Sequence, residues 1–363
     1  MVTVNGLENL GYTPEVAQEA EPYISEGYII ARVTQELRQR YLIRTEALEV
    51  SAEVSGRMMH RANTRSDFPV VGDWVAVTLH DNNSHAIIHH ILPRKTILQR
   101  RSPGKRIEQH IIATNIDAVF ILLPLNQEWT RGTLERYLIL VRQSGAQPYV
   151  LLSKRDLCTE EKANEIIKLV ESVVNSSELI LSYSLYCPED IAHISSLLRP
   201  GVTFCLLGPS GAGKSSLINA LVGKEILATG EVRSYDAKGR HVTTIRQLVV
   251  LEAGGILIDT PGLRELGLWE IEDGLIETFD DIVTIAEGCR FRDCTHTHEP
   301  DCAVRKAVEE GELSSERYQN YIRYQKELLE LSSAIDPGKR KKQRELEKKR
   351  IAEEKSKYHR RNK

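Results

Sequence analysis

The chain has 363 residues, 41% hydrophobic and 27% charged, with a formal net charge of −3. Such a composition suits a globular protein of two or three domains, and no apolar run nears the roughly 18 residues of a membrane span. The N-terminal stretch MVTVNGLENLGYTPEV has neither the basic start nor the apolar core of a secretory signal. Integral membrane and exported classes are set aside, and a cytoplasmic location with no membrane partner is expected.

In chain order, residues 28–92 read as five short strands: YIIARVTQ, RYLIRTE, LEVSAEV, DWVAVTL and HAIIHHIL. In DWVAVTL the two-residue period puts Val75, Val77 and Leu79 on one face and Trp74, Ala76 and Thr78 on the other. Five such strands predict a small closed barrel. Pattern alone leaves an OB-fold and an SH3-like barrel both open. A basic connector follows, with Arg94, Lys95, Arg100, Arg101, Lys105 and Arg106.

From about Ile111 to Ile282 the runs DAVFILLPL, QPYVLLSK, ELILSYS, VTFCLLG, QLVVLEA and GILIDTPG are compact and apolar, as in strands buried on both faces. Helical periods at 133–144 and 160–174 fall between them, which predicts a doubly wound α/β domain. A further helix is expected at about 315–331, with Tyr318, Tyr321 and Ile322 on one face. Pro337-Gly338 closes it. The remaining segment, 336–363, carries 13 Lys+Arg against 5 Asp+Glu, a basic tail on an acidic body and a common form among proteins that touch nucleic acid.

The chemistry begins at LLGPSGAGKSSL. Gly208, Pro209, Ser210, Gly211, Ala212, Gly213, Lys214, Ser215 and Ser216 follow a strand and open a helix, the context a P-loop requires. The glycines let backbone N–H groups turn inward on phosphate oxygens. Lys214 is placed to reach the β- and γ-phosphates and Ser215 to ligate Mg²⁺. Further on, ILIDTPG ends a buried strand at Asp259, a second Mg²⁺-side residue, with the Gly262 amide set for the γ-phosphate. A guanine reader needs a carboxylate that accepts from the ring N1–H and the exocyclic amine. The run YVLLSKRDL supplies it upstream, as Ser153, Lys154 and Asp156 at a strand end. Ser182 then lies where guanine-binding proteins carry a second base-contacting loop. The base motifs precede the phosphate motifs, so the G domain is circularly permuted.

That order, with KGRHVTT (238–244), DTPGLRELGLW (259–269) and CRFRDCTHTHEPDCAV (289–304), resembles the ribosome small subunit-dependent GTPase A family over essentially the whole chain. The resemblance implies a multidomain α/β protein with an all-β N-terminal domain. Its parts are an OB-fold with linker (1–105), a circularly permuted GTPase domain (106–284), a C-terminal zinc-binding helical domain (285–335) and the tail (336–363). It also implies that GTP is hydrolysed to GDP under stimulation by the 30S subunit during its late maturation, with contacts to 16S rRNA. A monomer is expected.

Two departures from the family pattern stand out. Ser153 replaces the commoner Asn that ties the base-reading loop to the P-loop, so a weaker tie is expected. Val242 replaces a frequent Thr, leaving Thr243 and Thr244 as switch I threonines, either of which could reach Mg²⁺. Leu263 stands where many GTPases carry the Gln that orients the attacking water. Leucine cannot hydrogen-bond, so the family resemblance points to His241, either as water acceptor or as a switch cap or RNA contact. Finally, Cys289, Cys294, His296 and Cys302 form a Cys₃His set suited to one structural Zn²⁺. His298 competes with His296, which the family pattern favours. An ATP-using P-loop enzyme is disfavoured by Asp156. An RNA-binding module with a structural nucleotide is the other alternative.

Overall fold

The structure is a computed structural model that describes residues 6–37, 40–101, 109–174, 178–223, 246–252, 254–259, 272–291 and 293–335. His241, Val242, Thr243, Thr244, Gly262, Leu263 and the tail, for which the sequence raises expectations, lie outside the described residues. The chain divides into two compact units, one of residues 1–100 and 109–266, the other of 101–108 and 267–363.

The first unit opens with a 3₁₀ turn (Leu7–Leu10) and helix α1 (Pro14–Ser25). Thr13 caps α1 through the Val16 amide, and Pro14 sits at the first helical position, where its missing N–H costs nothing. Strands β1 (Ile29–Glu36), β2 (Tyr41–Arg44) and β3 (Glu49–Val54) follow. Helix α2 (Gly56–Arg61) and a 3₁₀ turn (Arg65–Asp67) then lead to β4 (Trp74–His80) and β5 (His85–Ile91). Strand order is β1-β2-β3-β5-β4, closed by β1–β4 pairing, with β3–β5 the one parallel pair of the five. This is the OB-fold order, which the strand pattern had left open. Val75 and Val77 fill the barrel with Ala31, Ile43 and Ile88, and Leu79 packs on them. Trp74 and Ala76 point the other way, onto Leu10 and Ala20. The alternation predicted for this strand therefore separates two cores rather than core from water.

Strands β6 (Ile97–Arg101) and β7 (Gln109–Thr114) pair with each other. The α/β part then runs β8 (Ala118–Pro124), α3 (Arg131–Gln143), β9 (Gln147–Ser153), α4 (Glu160–Glu171), β10 (Leu179–Ser182) and α5 (Pro188–Leu197). It ends with β11 (Thr203–Leu207), α6 (Lys214–Val222), β12 (Gln247–Val250) and β13 (Ile256–Asp259). The order β10-β9-β8-β11-β13-β12 is parallel except for β12. All seven residues of β8 are buried. Val119, Ile121 and Leu123 meet Leu134, Leu138 and Val170 of α3 and α4, while Phe120 and Leu122 meet Ile194, Leu217 and Ile218 of α5 and α6. An unbroken apolar run is what a strand covered by helices on both faces requires.

Barrel and α/β domain share one sheet, because the end of β1 pairs with β12 at Gln35↔Gln247. Arg32 stands at this junction, 1% exposed. Its guanidinium donates to the carbonyls of Leu10, Gly72 and Asn115 and to Thr203 Oγ1, the last at 3.0 Å. Gly72 has φ +97°, and a Cβ there would come within 2.2 Å of the Thr114 carbonyl, so only glycine allows this approach.

The second unit holds α7 (Glu272–Thr278), α8 (Asp280–Ala286), a loop to 302, α9 (Ala303–Glu309) and α10 (Ser315–Ile335). Arg317 joins α10 to α8 by two 2.6 Å bonds to Asp281 and lies 4.6 Å from the Phe279 ring centre.

Candidate nucleotide site and metal centre

The phosphate loop spans the turn from β11 to α6. Gly208 has φ +147°, and a Cβ would meet the Leu122 carbonyl at 2.3 Å, so the loop can leave the strand only through glycine. Pro209, Ser210 and Gly211 make the turn, Ala212 is fully buried, and Gly213 (φ +92°) caps α6 with its carbonyl accepting from the Leu217 amide at 2.9 Å. Lys214, Ser215 and Ser216 form the first turn of the helix. Lys214 Nζ donates to the carbonyls of Gly208 and Pro209 at 2.7 and 2.8 Å, which holds the ammonium against the loop. The free N–H groups and dipole of a helix start make this a ready anion site.

The residues expected to read the base stand at the carboxyl ends of β9 and β10. Ser153 is buried, and its Oγ donates to the Ala212 carbonyl at 2.7 Å. The hydroxyl thus makes the tie to the P-loop that the shorter side chain was expected to make less well. Buried Tyr183 lies beside it. Desolvation pushes that phenol's pKa up, and the Ser153 hydroxyl partly offsets the shift. Lys154 adopts a left-handed backbone (φ +61°), which turns the chain sharply before Asp156. Asp156 is exposed, and its Oδ1 accepts from Ser184 Oγ at 2.6 Å. The two loops are knitted further. The Arg155 amide donates to the Tyr183 carbonyl at 3.1 Å, and Asp190 Oδ2 accepts from both Arg155 and the Ser184 amide.

Ser182 ends β10, half-buried and in register with Leu152. The serine that reaches Asp156 is Ser184, two residues later, which sequence reading missed. The signal was the SYS repeat itself: one serine closes the strand and the other enters the loop. Asp259 is buried at the end of β13, opposite Gln247. Ser153, Asp156, the P-loop and Asp259 all follow parallel-strand ends, where open α/β sheets bind ligands.

In the second unit, Cys289, Cys294, His296 and Cys302 bring their ligand atoms within 4.8 Å of one another. His296 Nδ1 lies 3.6 Å from Cys289 Sγ and 3.5 Å from Cys302 Sγ, and these two sulfurs are 3.9 Å apart. Tetrahedral Zn–S and Zn–N bonds of ordinary length put sulfurs about 3.8 Å apart and S and N about 3.6 Å apart, so the donor set fits. His296 takes φ +58° to turn its ring inward, while His298 is exposed and bonds Thr297. Burial holds His296 below its usual pKa, in the neutral form that coordinates metal. Burial first, and then the neighbouring Cys302 and Cys289, push the Cys294 thiol up to about 12. A cation would reverse that balance by stabilising the thiolates. Glu299 braces the loop by accepting from the amides of Thr295, Thr297 and His298. Tyr318 of α10 donates to the His296 carbonyl at 2.7 Å. Among the described residues, no helix is long and apolar enough to cross a membrane.

Residues 91–269 match the family model of the RsgA GTPase. A small ribosomal subunit biogenesis GTPase RsgA of Opitutus terrae is 38% identical over 91% of this chain and 92% of its own. RsgA 1 of Oceanobacillus iheyensis is 41% identical over 83% of this chain and 85% of its own. Among solved structures, YjeQ from Thermotoga maritima aligns with a TM-score of 0.61 at 24% identity, covering 83% of this chain and 99% of that one. YloQ, a circularly permuted GTPase, aligns at 0.58 and 25%, covering 83% and 95%. With relatives of 38% and 41% identity aligned over most of its length, the chain belongs to the RsgA GTPase family.

Proposed function

We propose that the protein hydrolyses GTP to GDP and phosphate under stimulation by the 30S subunit, late in that subunit's maturation, while gripping its 16S rRNA. The observation that carries this reading is the pair of serine bonds. Ser153 fastens the base-reading loop to the P-loop, and Ser184 fixes the carboxylate of Asp156. Base and phosphate recognition are thereby built into one rigid piece. Asp156 accepts from the two guanine donors. The loop amides and Lys214 hold the β- and γ-phosphates, and Ser215 and Asp259 would hold Mg²⁺, which supplies charge neutralisation at the β–γ bond. Gly262 and Thr243 or Thr244 complete the γ-phosphate side. His241 orients the attacking water, in place of the Gln that Leu263 displaces. The Cys₃His centre would hold one structural Zn²⁺.

The test is steady-state GTP and ATP hydrolysis with and without purified 30S subunits at one salt concentration. Strong stimulation of GTP turnover alone is expected. GTP binding with no stimulated turnover would leave only an RNA-binding module with a structural nucleotide.

A further inference from the structure

The barrel carries a pocket of about 290 Å³ between α2 and β5. Its wall is aromatic. Tyr28 lies 5.2 Å from His89 and 5.4 Å from His90, ring centre to ring centre, and Tyr23 continues the row at 5.1 Å from His90. His89 is held in place by a 3.0 Å bond between Nε2 and Thr78 Oγ1. Met58 and Ile91, both half-buried, add apolar surface. The rim is charged: Arg57 and Arg61, four residues apart on α2, are exposed and have no ion pair among the described residues. These two unpaired cations stand on a chain whose net charge is negative. One acid is also present. Asp67 Oδ2 accepts from the Asn63 and Thr64 amides and from Thr64 Oγ1, while its Oδ1 makes no bond within the described residues.

Aromatic and imidazole faces, a thioether, two free guanidinium groups and one spare carboxylate oxygen form a specific combination. Rings stack on a base, an acceptor meets a base amine, and arginines meet a phosphodiester. The volume is at the small end for ligand pockets, with room for one base and its sugar but not for a base pair. We propose that this pocket captures a single unpaired nucleotide of RNA, its base against Tyr28, His89 and His90 and its phosphate on Arg57 and Arg61. The proposal rests on the reading that the protein grips rRNA, and it adds a place and a class of element: a looped-out or single-stranded nucleotide. The oligonucleotide face usual for OB-folds is that of the second and third strands. This pocket uses the helix between β3 and β4, the last strand and the residue before β1. An acidic peptide is a poorer fit, because it gains nothing from the ring wall and meets Asp67.

Two variants of the full chain separate the parts. Arg57→Gln/Arg61→Gln removes the charges at exposed positions, and Tyr28→Leu removes stacking while keeping apolar volume. The probe is a fluorescein-labelled oligouridylate of about 12 nucleotides, followed by anisotropy across a salt series, with duplex RNA of equal length as control and GTP binding as the check on folding. For single strands the expected loss is roughly tenfold for each variant. Only the arginine variant should flatten the plot of log affinity against log salt, by about 1.4 for two phosphate contacts. Duplex affinity and GTP binding should not change. A 4-thiouridine in the oligonucleotide should photocrosslink to the segments holding Tyr28 or Met58 in the wild type and not in Tyr28→Leu. Wild-type affinity in both variants, with crosslinks elsewhere, overturns the pocket and leaves rRNA binding standing. No oligonucleotide affinity in the wild type overturns the rRNA reading itself. Displacement of the probe by polyglutamate, abolished by the arginine change but not by Tyr28→Leu, would reassign the pocket to an acidic protein segment.

Discussion

At the scale of single residues, hydroxyl groups tie together the loops of the proposed nucleotide site. Ser153→Ala removes the bond to the Ala212 carbonyl and leaves that buried acceptor unsatisfied, a loss of about 1 kcal/mol. GTP and GDP should both bind roughly fivefold more weakly, read by titration of a fluorescent nucleotide. Equal affinity in the variant would mean that the tie plays no part in holding the loops. Asp156→Asn replaces one acceptor by a donor, so the guanine amine meets an N–H. Preference should pass from GTP to xanthosine triphosphate, whose carbonyl can accept from that N–H, and competition between the two nucleotides measures it. The strand–loop–helix of 203–222, the strand end ahead of Asp156 and the cysteine cluster were legible because each proposed chemistry demands fixed residue types at fixed spacing. Ser184 was not. Two serines stand two positions apart, and which of them reaches the carboxylate depends on where β10 stops, a matter of pairing with β9 rather than of local pattern.

At the scale of elements, the strands were readable because burial on two faces leaves uninterrupted apolar runs, as in β8. Helix α1 was passed over. Its run PEVAQEAEPYIS buries only Ala20 and carries an internal Pro22, and the legible signal was the Thr13-Pro14 start. The junction of β7 with the start of β12 makes a pH prediction. His110 is pushed down to about 4, chiefly by burial and then by the cations of Arg246, Arg65 and Arg100. It is neutral when folded, whereas the unfolded chain takes up a proton near pH 6.5. Its contribution to stability is therefore complete above about pH 6.5 and lost as pH falls from there towards about 4. The melting temperature of His110→Gln should fall less steeply over that window than that of the wild type. Parallel curves would remove His110 as the cause. The loop between α8 and α9 makes a second. Zinc analysis should find one ion per chain, and chelation or Cys302→Ser should lower the helical signal of α9 and α10, since the four ligands fix the loop that enters α9 at Cys302 and that Tyr318 of α10 bonds. A helical signal unchanged on metal removal would rule out a structural role.

At the scale of the whole first unit, Arg32 is the long-range feature that no local pattern announced: a cation in the middle of the apolar run YIIARV. Burial lowers its pKa to about 10, and Asp117 and Asp73 partly restore it. Arg32→Met removes the donor shared by the Leu10, Gly72 and Asn115 carbonyls and Thr203 Oγ1, and a loss of about 3–5 kcal/mol is expected. Calorimetry should find barrel and α/β domain melting together in the wild type and earlier in the variant. Lysine should not restore stability, since one ammonium cannot reproduce the guanidinium fork. Separate transitions in the wild type would mean that the junction does not couple the two domains. The pairing of Gln35 with Gln247 also has a consequence in time. During synthesis β1 emerges among the first segments, and β4 soon closes the barrel on one half of its free edge. The other half must wait, unpaired, until β12 has been made. The permuted order imposes the same delay on the nucleotide site, because Asp156 leaves the ribosome before Lys214. A nascent chain halted before β11 has the proposed base-reading loops and no phosphate loop, so nucleotide can help complete folding only after α6 has been made, as β12 arrives to cover the edge of β1.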